Sequence, residues 1–347
     1  PIASGAESSE QTVNVDMSAI GTYTVSAQTQ LVGDVDNANN ATASQNTTNI
    51  APKIINATTS YSTSFETSDA SVAQWTIIDG NEVFDTGNKS RKWTINNNLA
   101  SEGTQSMYYS SFNQTAVAND WLISPCLQLQ TGKTYEVSYK VAVKSAGAAA
   151  YGVKIGNSVS TSSFTTTLYT TPASYSTPLD VNSNATFVVQ RHTFTVSSNG
   201  IYYLAWHATS GVPINSDQIN VDQVIVKELK TTDAELISFD TPLQNTTNCY
   251  SATEDVKVTI RNSGSGSLSN IQVVVNVTGP VTQTLSQTVT SLAAGQSQQV
   301  TLGQVNMTAQ GTYQFAPSIT VTGDEDTSNN TLANVSVNGG ASSTPVT

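Results

Sequence analysis

Residues 134–143 read Thr-Tyr-Glu-Val-Ser-Tyr-Lys-Val-Ala-Val, and their order decides the fold. Tyr135, Val137, Tyr139, Val141 and Val143 fall on one face of an extended chain, the period of two that marks a half-buried strand. Residues 255–261 repeat the pattern with Val256, Val258 and Ile260, and residues 219–226 and 272–277 give further examples. Thr and Val dominate these runs and suit a pleated, half-buried surface. Turn-forming clusters such as Asn262-Ser-Gly-Ser-Gly266 and Ser197-Ser-Asn-Gly200 separate them. No run of about 11 residues combines apolar i, i+3, i+4, i+7 spacing with a cap. The pattern predicts an all-β chain of sandwiches or jelly rolls, almost without helix.

The 347 residues carry 13 Lys+Arg against 25 Asp+Glu, a net charge of −12 with no basic cluster, which argues against nucleic-acid binding. No stretch approaches the ~18 consecutive apolar residues of a membrane span, and residues 1–10 show no signal-peptide pattern. Two cysteines cannot staple a chain of this length. Cys126 reads as a small hydrophobe in a strand, and a bridge to Cys249 would have to span two domains.

Residues 3–46 align without a gap on residues 293–336. Gly5 pairs with Gly295, Met17 with Met307, Gly21-Thr-Tyr23 with Gly311-Thr-Tyr313, Gly33-Asp34 with Gly323-Asp324, and Asn39-Asn40 with Asn329-Asn330, all at an offset of 290. The second copy ends a sandwich-sized region that has strands ahead of it at 255–261 and 271–278, whereas the first copy has none. Residues 1–46 are therefore expected to supply only the later strands of a sandwich. Val13, Val15 and Met17, then Tyr23, Val25 and Ala27, need a facing sheet. The missing strands are expected from upstream in a longer polypeptide with a 290-residue repeat; the rival source is a neighbouring molecule that donates them.

The region 231–338 resembles the CARDB-like, immunoglobulin-like adhesion modules of secreted bacterial surface proteins. The residues that carry the likeness are Cys249 to Gly264, Leu292-Ala-Ala-Gly295, Gly311-Thr-Tyr313 and Gly323 to Asn330. Residues 60–229 resemble the choice-of-anchor J or cleaved-adhesin domain, a jelly roll related in shape to MAM domains and carbohydrate-binding modules. Here the matching residues are Ser64-Phe-Glu66, Trp75-Thr-Ile-Ile-Asp79, Asn119-Asp-Trp-Leu-Ile-Ser-Pro125, Gly200 to His207 and Ile219 to Val226. The resemblance implies surface adhesins, or C-terminal modules of exported proteases, chiefly in Bacteroidetes-type bacteria. It also implies a structural Ca²⁺ between the first and last jelly-roll strands. Glu66 and Asp222 occupy the matching ligand positions, with Asp69 or Asp120 as a further carboxylate, because Ca²⁺ takes six to eight oxygens. The family's second acid beside the last-strand Asp is Gln223 in this chain.

Catalysis finds little support. No Gly-x-Ser-x-Gly, His-Glu-x-x-His or phosphate loop occurs. His192 and His207 lie in or beside strand runs and read as packed or surface imidazoles. The Gly-Asp-x-Asp-x-x-Asn-Asn tips at 33–40 and 323–330 read as Asx side chains satisfying turn backbone. Sugar binding needs an aromatic platform, and among Trp75, Trp93, Trp121 and Trp206 the one with polar neighbours is Trp93. Sequons such as those at Asn46 and Asn113 arise from composition.

The sequence thus predicts a partial sandwich at 1–46, a linker at 47–59, a jelly roll at 60–229, a full sandwich at 231–338 and a linker to a further repeat at 339–347, with the second inter-domain linker near 228–236. The expected role is non-catalytic: a repeat unit of a secreted or cell-surface adhesin, stalk or filament. Its expected partners are neighbouring repeats and surface glycans. The alternative is a carbohydrate-binding accessory module of a secreted enzyme.

Overall fold

The computed structural model describes residues 9, 12–80, 92–111, 116–144, 149–172, 175–180, 182–211, 218–244 and 249–340. The chain divides into two compact units, Pro1–Lys53 and Ile54–Thr347. Among the described residues the helical segments are four three-residue 3-10 turns, and the rest of the regular structure is strand.

The first unit is a two-stranded ribbon, β1 (Gly21–Val25) against β2 (Gln45–Asn49), with Tyr23 opposite Thr47. The segment read as a linker from residue 47 is thus strand through Asn49. A Thr/Asn run shows no alternation when its side chains face solvent, yet its backbone pairs well. The tip between the strands holds a 3-10 turn at Asn37–Asn39. Asp34 accepts from the Asp36 N–H and Asp36 from the Ala38 N–H, the Asx role expected of this tip.

The second unit begins at Ile54, within the short β3 (Lys53–Ile54). Its larger sandwich is built from β4 (Tyr61–Thr63), β5 (Thr76–Asp79), β6 (Thr94–Asn96), β7 (Ser106–Ser110), β8 (Asp120–Ile123), β9 (Leu127–Leu129), β10 (Thr134–Lys144), β11 (Tyr151–Gly156), β12 (Thr166–Thr170), β13 (Val188–Thr195), β14 (Gly200–Ala208) and β15 (Gln218–Glu228). One sheet has the order β13-β10-β15-β7-β6 with β4 also beside β15, and the other β12-β11-β14-β8-β5 with β9 also beside β14. The alternating face of β10, Tyr135 through Val143, packs with Leu122, Val153, Leu204 and Trp206 of the opposite sheet in one buried core.

Each central strand changes partner midway. β14 pairs with β9 through Gly200–Tyr202 and with β8 through Ala205–Ala208. β15 pairs with β7 through Gln218–Val221 and with β4 through Val224–Val226. At the first break the Asp-Trp-Leu-Ile-Ser-Pro element shows its purpose. The Ser124 hydroxyl accepts from the Leu204 N–H at 3.0 Å and donates to the Pro125 carbonyl. Pro125 has no N–H to contribute, so β8 stops there and β9 takes over.

Among the described residues the smaller sandwich has seven strands: β16 (Ala234–Thr241), β17 (Glu254–Asn262), β18 (Leu268–Thr278), β19 (Gln283–Leu292), β20 (Ser297–Val305), β21 (Gly311–Thr320) and β22 (Val335–Gly339). They form sheets β16-β17-β20 and β19-β18-β21-β22 around a second core. The stretch read as a linker near 228–236 is tied down on both sides. Ser265 and Gly266 donate to the Lys230 and Thr231 carbonyls, Ser263 to that of Asp233, and the Glu325 carboxylate accepts from the Thr231 and Thr232 N–H groups. A Cβ on Gly264 would lie 2.6 Å from the Thr231 carbonyl oxygen, so this turn admits only glycine.

Charges seal the same junction. Glu136, on the outward face of β10, is buried because the smaller sandwich covers it. Its carboxylate takes Arg191 at 3.1 Å and the buried Arg261 of β17, which also reaches Ser263 and Glu235. The two sandwiches therefore behave as one body. Breaking a buried pair by removing one partner costs about 3–5 kcal/mol, while replacing both with apolar residues is far less costly. Glu136→Ala should therefore lower the unfolding free energy in urea by about 3 kcal/mol, and Glu136→Met with Arg261→Met should recover most of it. All four Trp lie in the larger sandwich, so the fluorescence transition of Glu136→Ala should separate from the circular-dichroism transition, while the parent's coincide. Coincident curves with an unchanged midpoint would show that the pair does not couple the sandwiches.

Candidate functional site

Where β15 exchanges β7 for β4, the backbone of Asp222 and Gln223 faces two strand ends rather than a strand. Both ends and the break itself take unusual backbone. Gln223 and Phe65 have φ of 47° and 58°, and Gly103, in the loop before β7, has φ of 66°. A Cβ on Gly103 would lie 2.4 Å from a Glu66 carboxylate oxygen, so the loop needs glycine on both counts.

Two carboxylates hold this junction. The buried Asp222 accepts from the N–H groups of Ser101 (2.7 Å), Glu102 (3.1 Å) and Gln223 (2.7 Å). Burial pushes its carboxyl above the usual range, those N–H groups oppose the rise, and the charge of Glu66 adds to it. Glu66 accepts from the Thr104 and Gln105 N–H groups, both at 2.8 Å, and from the Thr104 hydroxyl. These N–H groups, Thr104 foremost, hold its carboxyl below the usual range. Asp69 accepts from the Thr63 hydroxyl and the Ser71 N–H and so closes the turn after β4. Beside them lies a polar cleft of about 480 Å³, lined by Ser62, Thr63, Ser64, Asp69, Glu102, Gln223 and Ile225. The Gln223 amide donates to the Glu102 carboxylate across it.

Of the four carboxylates expected to share a calcium ion, Glu66 and Asp222 come together, Asp69 lies at the neighbouring cleft, and Asp120 lies in the other sheet, opposite Asp79. Among the described residues no three His, Cys, Asp or Glu side chains gather into a metal-holding group. Five backbone N–H groups converge on Glu66 and Asp222, supplying the positive partners that an ion would supply. This arrangement does not fit calcium; it fits two carboxylates that pin the 101–105 loop across the strand break.

Trp93 is corrected by the structure. Its side chain is 0% exposed, packs 5.6 Å from Tyr109 and donates to the Asp120 carbonyl at 3.2 Å, so it offers no face to a sugar. Trp75, Trp121 and Trp206 are buried as well. The histidines are packed. His207 stacks on Trp121 at 3.7 Å with its Nε2 2.9 Å from the Asn119 side-chain oxygen, and burial, aided by Lys154, pushes its imidazole down to about 4. His192 stacks on Tyr169 and lies 3.2 Å from the Tyr139 hydroxyl; burial lowers it too. Cys126 and Cys249 form no disulfide. Glu102, Thr104 and Gln105 escape a reading by motif, because their partners lie tens of residues away; Gly103 between two strand runs is the one local signal.

Asp120 is the outlying group. It is fully buried, and neither carboxylate oxygen makes a well-formed hydrogen bond. Burial, reinforced by Asp79 and partly countered by Tyr109, pushes its carboxyl up to about 7. A raised folded-state pKa means that ionisation opposes folding. The associated stability is complete below the ordinary value of 3.8 and is lost as pH rises through about 7. Asp120→Asn should therefore raise the melting temperature more at pH 8 than at pH 4.5 in differential scanning fluorimetry; an equal shift at both would refute the assignment. Melting curves of the parent chain in EGTA, Ca²⁺ and Mg²⁺ should coincide, and a Ca²⁺-specific rise would restore the ion to Glu66 and Asp222.

No protein-family model and no curated protein sequence matches this chain. Among the solved structures that resemble it, some match about half of the chain and others about three quarters. The K1 cleaved adhesin domain of Lys-gingipain from Porphyromonas gingivalis W83 is 19% identical, over 49% of this chain and 98% of that one, with a TM-score of 0.38. The C-terminal CBM6 of LamC from Zobellia galactanivorans is 14% identical, over 48% and 98%, with a TM-score of 0.30. The CBM22-1 xylan-binding domain of Paenibacillus barcinonensis Xyn10C is 16% identical, over 48% and 92%, with a TM-score of 0.30.

Proposed function

We propose that the chain is a non-catalytic repeat unit of a long, secreted bacterial surface adhesin or stalk. In that reading a choice-of-anchor J type jelly roll alternates with CARDB-like, immunoglobulin-like sandwiches. The observation that carries it is the 290-residue repeat expressed in three dimensions. β1 and the start of β21, the 3-10 turns at Asn37–Asn39 and Thr327–Asn329, and β2 and β22 recur at that offset. So do the isolated bridges Gln28 to Ala41 and Ser318 to Thr331. A module repeated in this way, with two sandwiches locked by Glu136 and Arg261, is suited to bearing length and load rather than to turning over a substrate. Among the described residues the hydroxyl beside a histidine, Tyr139 at His192, is buried in the core, and the Glu66 and Asp222 carboxylates anchor a loop.

The carbohydrate-binding alternative rests on the polar cleft at Gln223 and Glu102. Its lining includes no aromatic ring, and stacking on such rings is the usual source of sugar affinity.

A chain carrying residues 50–339 twice in tandem should lengthen by one unit. Its maximum dimension in small-angle scattering should grow in proportion, and an unchanged dimension would overturn the stalk reading. A glycan array with the full chain should show no saturable binding. Binding lost on Gln223→Ala with Glu102→Ala would instead establish the glycan role.

A further inference from the structure

The two copies of the repeated half-module differ in what lies beside them. Within each, the hydroxyl of the first-strand tyrosine donates to the carbonyl four residues earlier, Tyr23 to Ala19 and Tyr313 to Ala309. The same backbone bond closes each tip, Thr29 N–H to Asn40 and Ile319 N–H to Asn330. Gly33 and Gly323 share a left-handed backbone, with φ of 85° and 80°.

Their apolar faces part company. Val305 is 1% exposed and Phe315 0%, while Val15 and Val25, their equivalents, are 57% and 44% exposed. In the second copy the cover is known. β18 lies along β21 from Gln314 to Thr320, and the Phe239 ring of β16 packs at a tilt, 5.0 Å from Phe315. β1 has β2 on one edge and, among the described residues, no strand on the other. Strand length follows. β21 runs from Gly311 to Thr320, whereas β1 stops at Val25, five residues short of the equivalent Gln30.

We infer that the open edge and apolar face of residues 13–30 form a docking surface for a strand set of the β16–β19 type, supplied by a further repeat of the same polypeptide. The interface already formed inside the second copy is its template. An equivalent of β18 would pair along residues 24–30 and draw β1 out to Gln30. Equivalents of Phe239, Val258 and Val273 would cover Val15 and Val25. This deepens the repeat-unit reading by naming the partner segment and its register, and it rests on that reading.

The test extends the full chain. Residues 231–292 are placed directly ahead of Ala3, which keeps the 290-residue register, and amide exchange is followed by mass spectrometry. Amides of residues 24–30 should slow by at least about a hundredfold, toward the behaviour of 314–320, as they enter a paired strand. The same extension carrying Val258→Asp and Val273→Asp should give no slowing. Residues 314–320 serve as the internal standard: if they stay protected while 24–30 exchange as fast as in the unextended chain, the docking assignment is overturned. The tandem-scattering result is untouched by that outcome, so failure of the assignment and failure of the repeat-unit reading are separable. A dimer of the unextended chain in multi-angle light scattering, abolished by Val25→Asp, would make a second copy the occupant and would also overturn it.

Discussion

A β-strand that changes neighbours midway leaves backbone groups pointing at a gap, and a gap inside a sandwich has no water to fill it. An unmet buried N–H or C=O costs about 1–3 kcal/mol, so each break must carry its own substitute partners. β14 and β15, the central strands of the larger sandwich, both have such a break. At β14 a single hydroxyl, Ser124, stands in for backbone. At β15 the gap is wider, and the carboxylates of Asp222 and Glu66 take five N–H groups between them. The left-handed backbone at Phe65, Gln223 and Gly103 turns those groups toward the acids. The cleft beside Gln223 is a by-product of the same break, since two strand ends cannot fill the space of one continuous strand.

What could be read in the sequence followed from this. Alternation reports which face of a strand is buried, so the strands, the two cores and the absence of longer helices were legible from residues such as Tyr135 to Val143 and Val256 to Ile260. The Asx tips were legible because their partners lie two residues away. The partners of Asp222 were not, because Ser101 and Glu102 lie more than a hundred residues earlier and only topology brings them near. The acids in the first and last strands were recognised as a pair. The backbone N–H groups that both acids accept from carry no such signal in the sequence. Trp93 misled because its neighbours Lys92 and Thr94 are exposed while its own ring is buried, and the polarity of neighbours does not report the direction of a ring.

Glu136 shows a further limit of periodicity. It stands on the face of β10 opposite Val137 and Tyr139, which in an isolated sandwich would be the wet face. Contact with the smaller sandwich dries it, and Arg191 and Arg261 then become necessary partners. The linker that looks free in the sequence is held by the same contact, through Ser263, Ser265 and Gly266. Joints between modules are thus the places where a chain's own pattern says least, because the burying surface belongs to another domain.

The repeated half-module carries this point to its end. β1 and β21 begin with the same Gly-Thr-Tyr and keep the same tyrosine bond and the same bridge near the tip, while the residues that follow, 24–30 and 314–320, differ at every position. One strand runs five residues and the other ten. The residues past Val25 include Ser26, Gln28 and Gln30, which gain little from an extended conformation by themselves. Their counterparts past Phe315 are paired to β18. Ordering a residue costs about 1–2 kcal/mol of backbone entropy, and a strand edge without a neighbour returns too little to offset it. The longer strand is thus the one whose apolar residues meet a neighbour along its edge, while the tyrosine bond, the tip and the ribbon form in both copies.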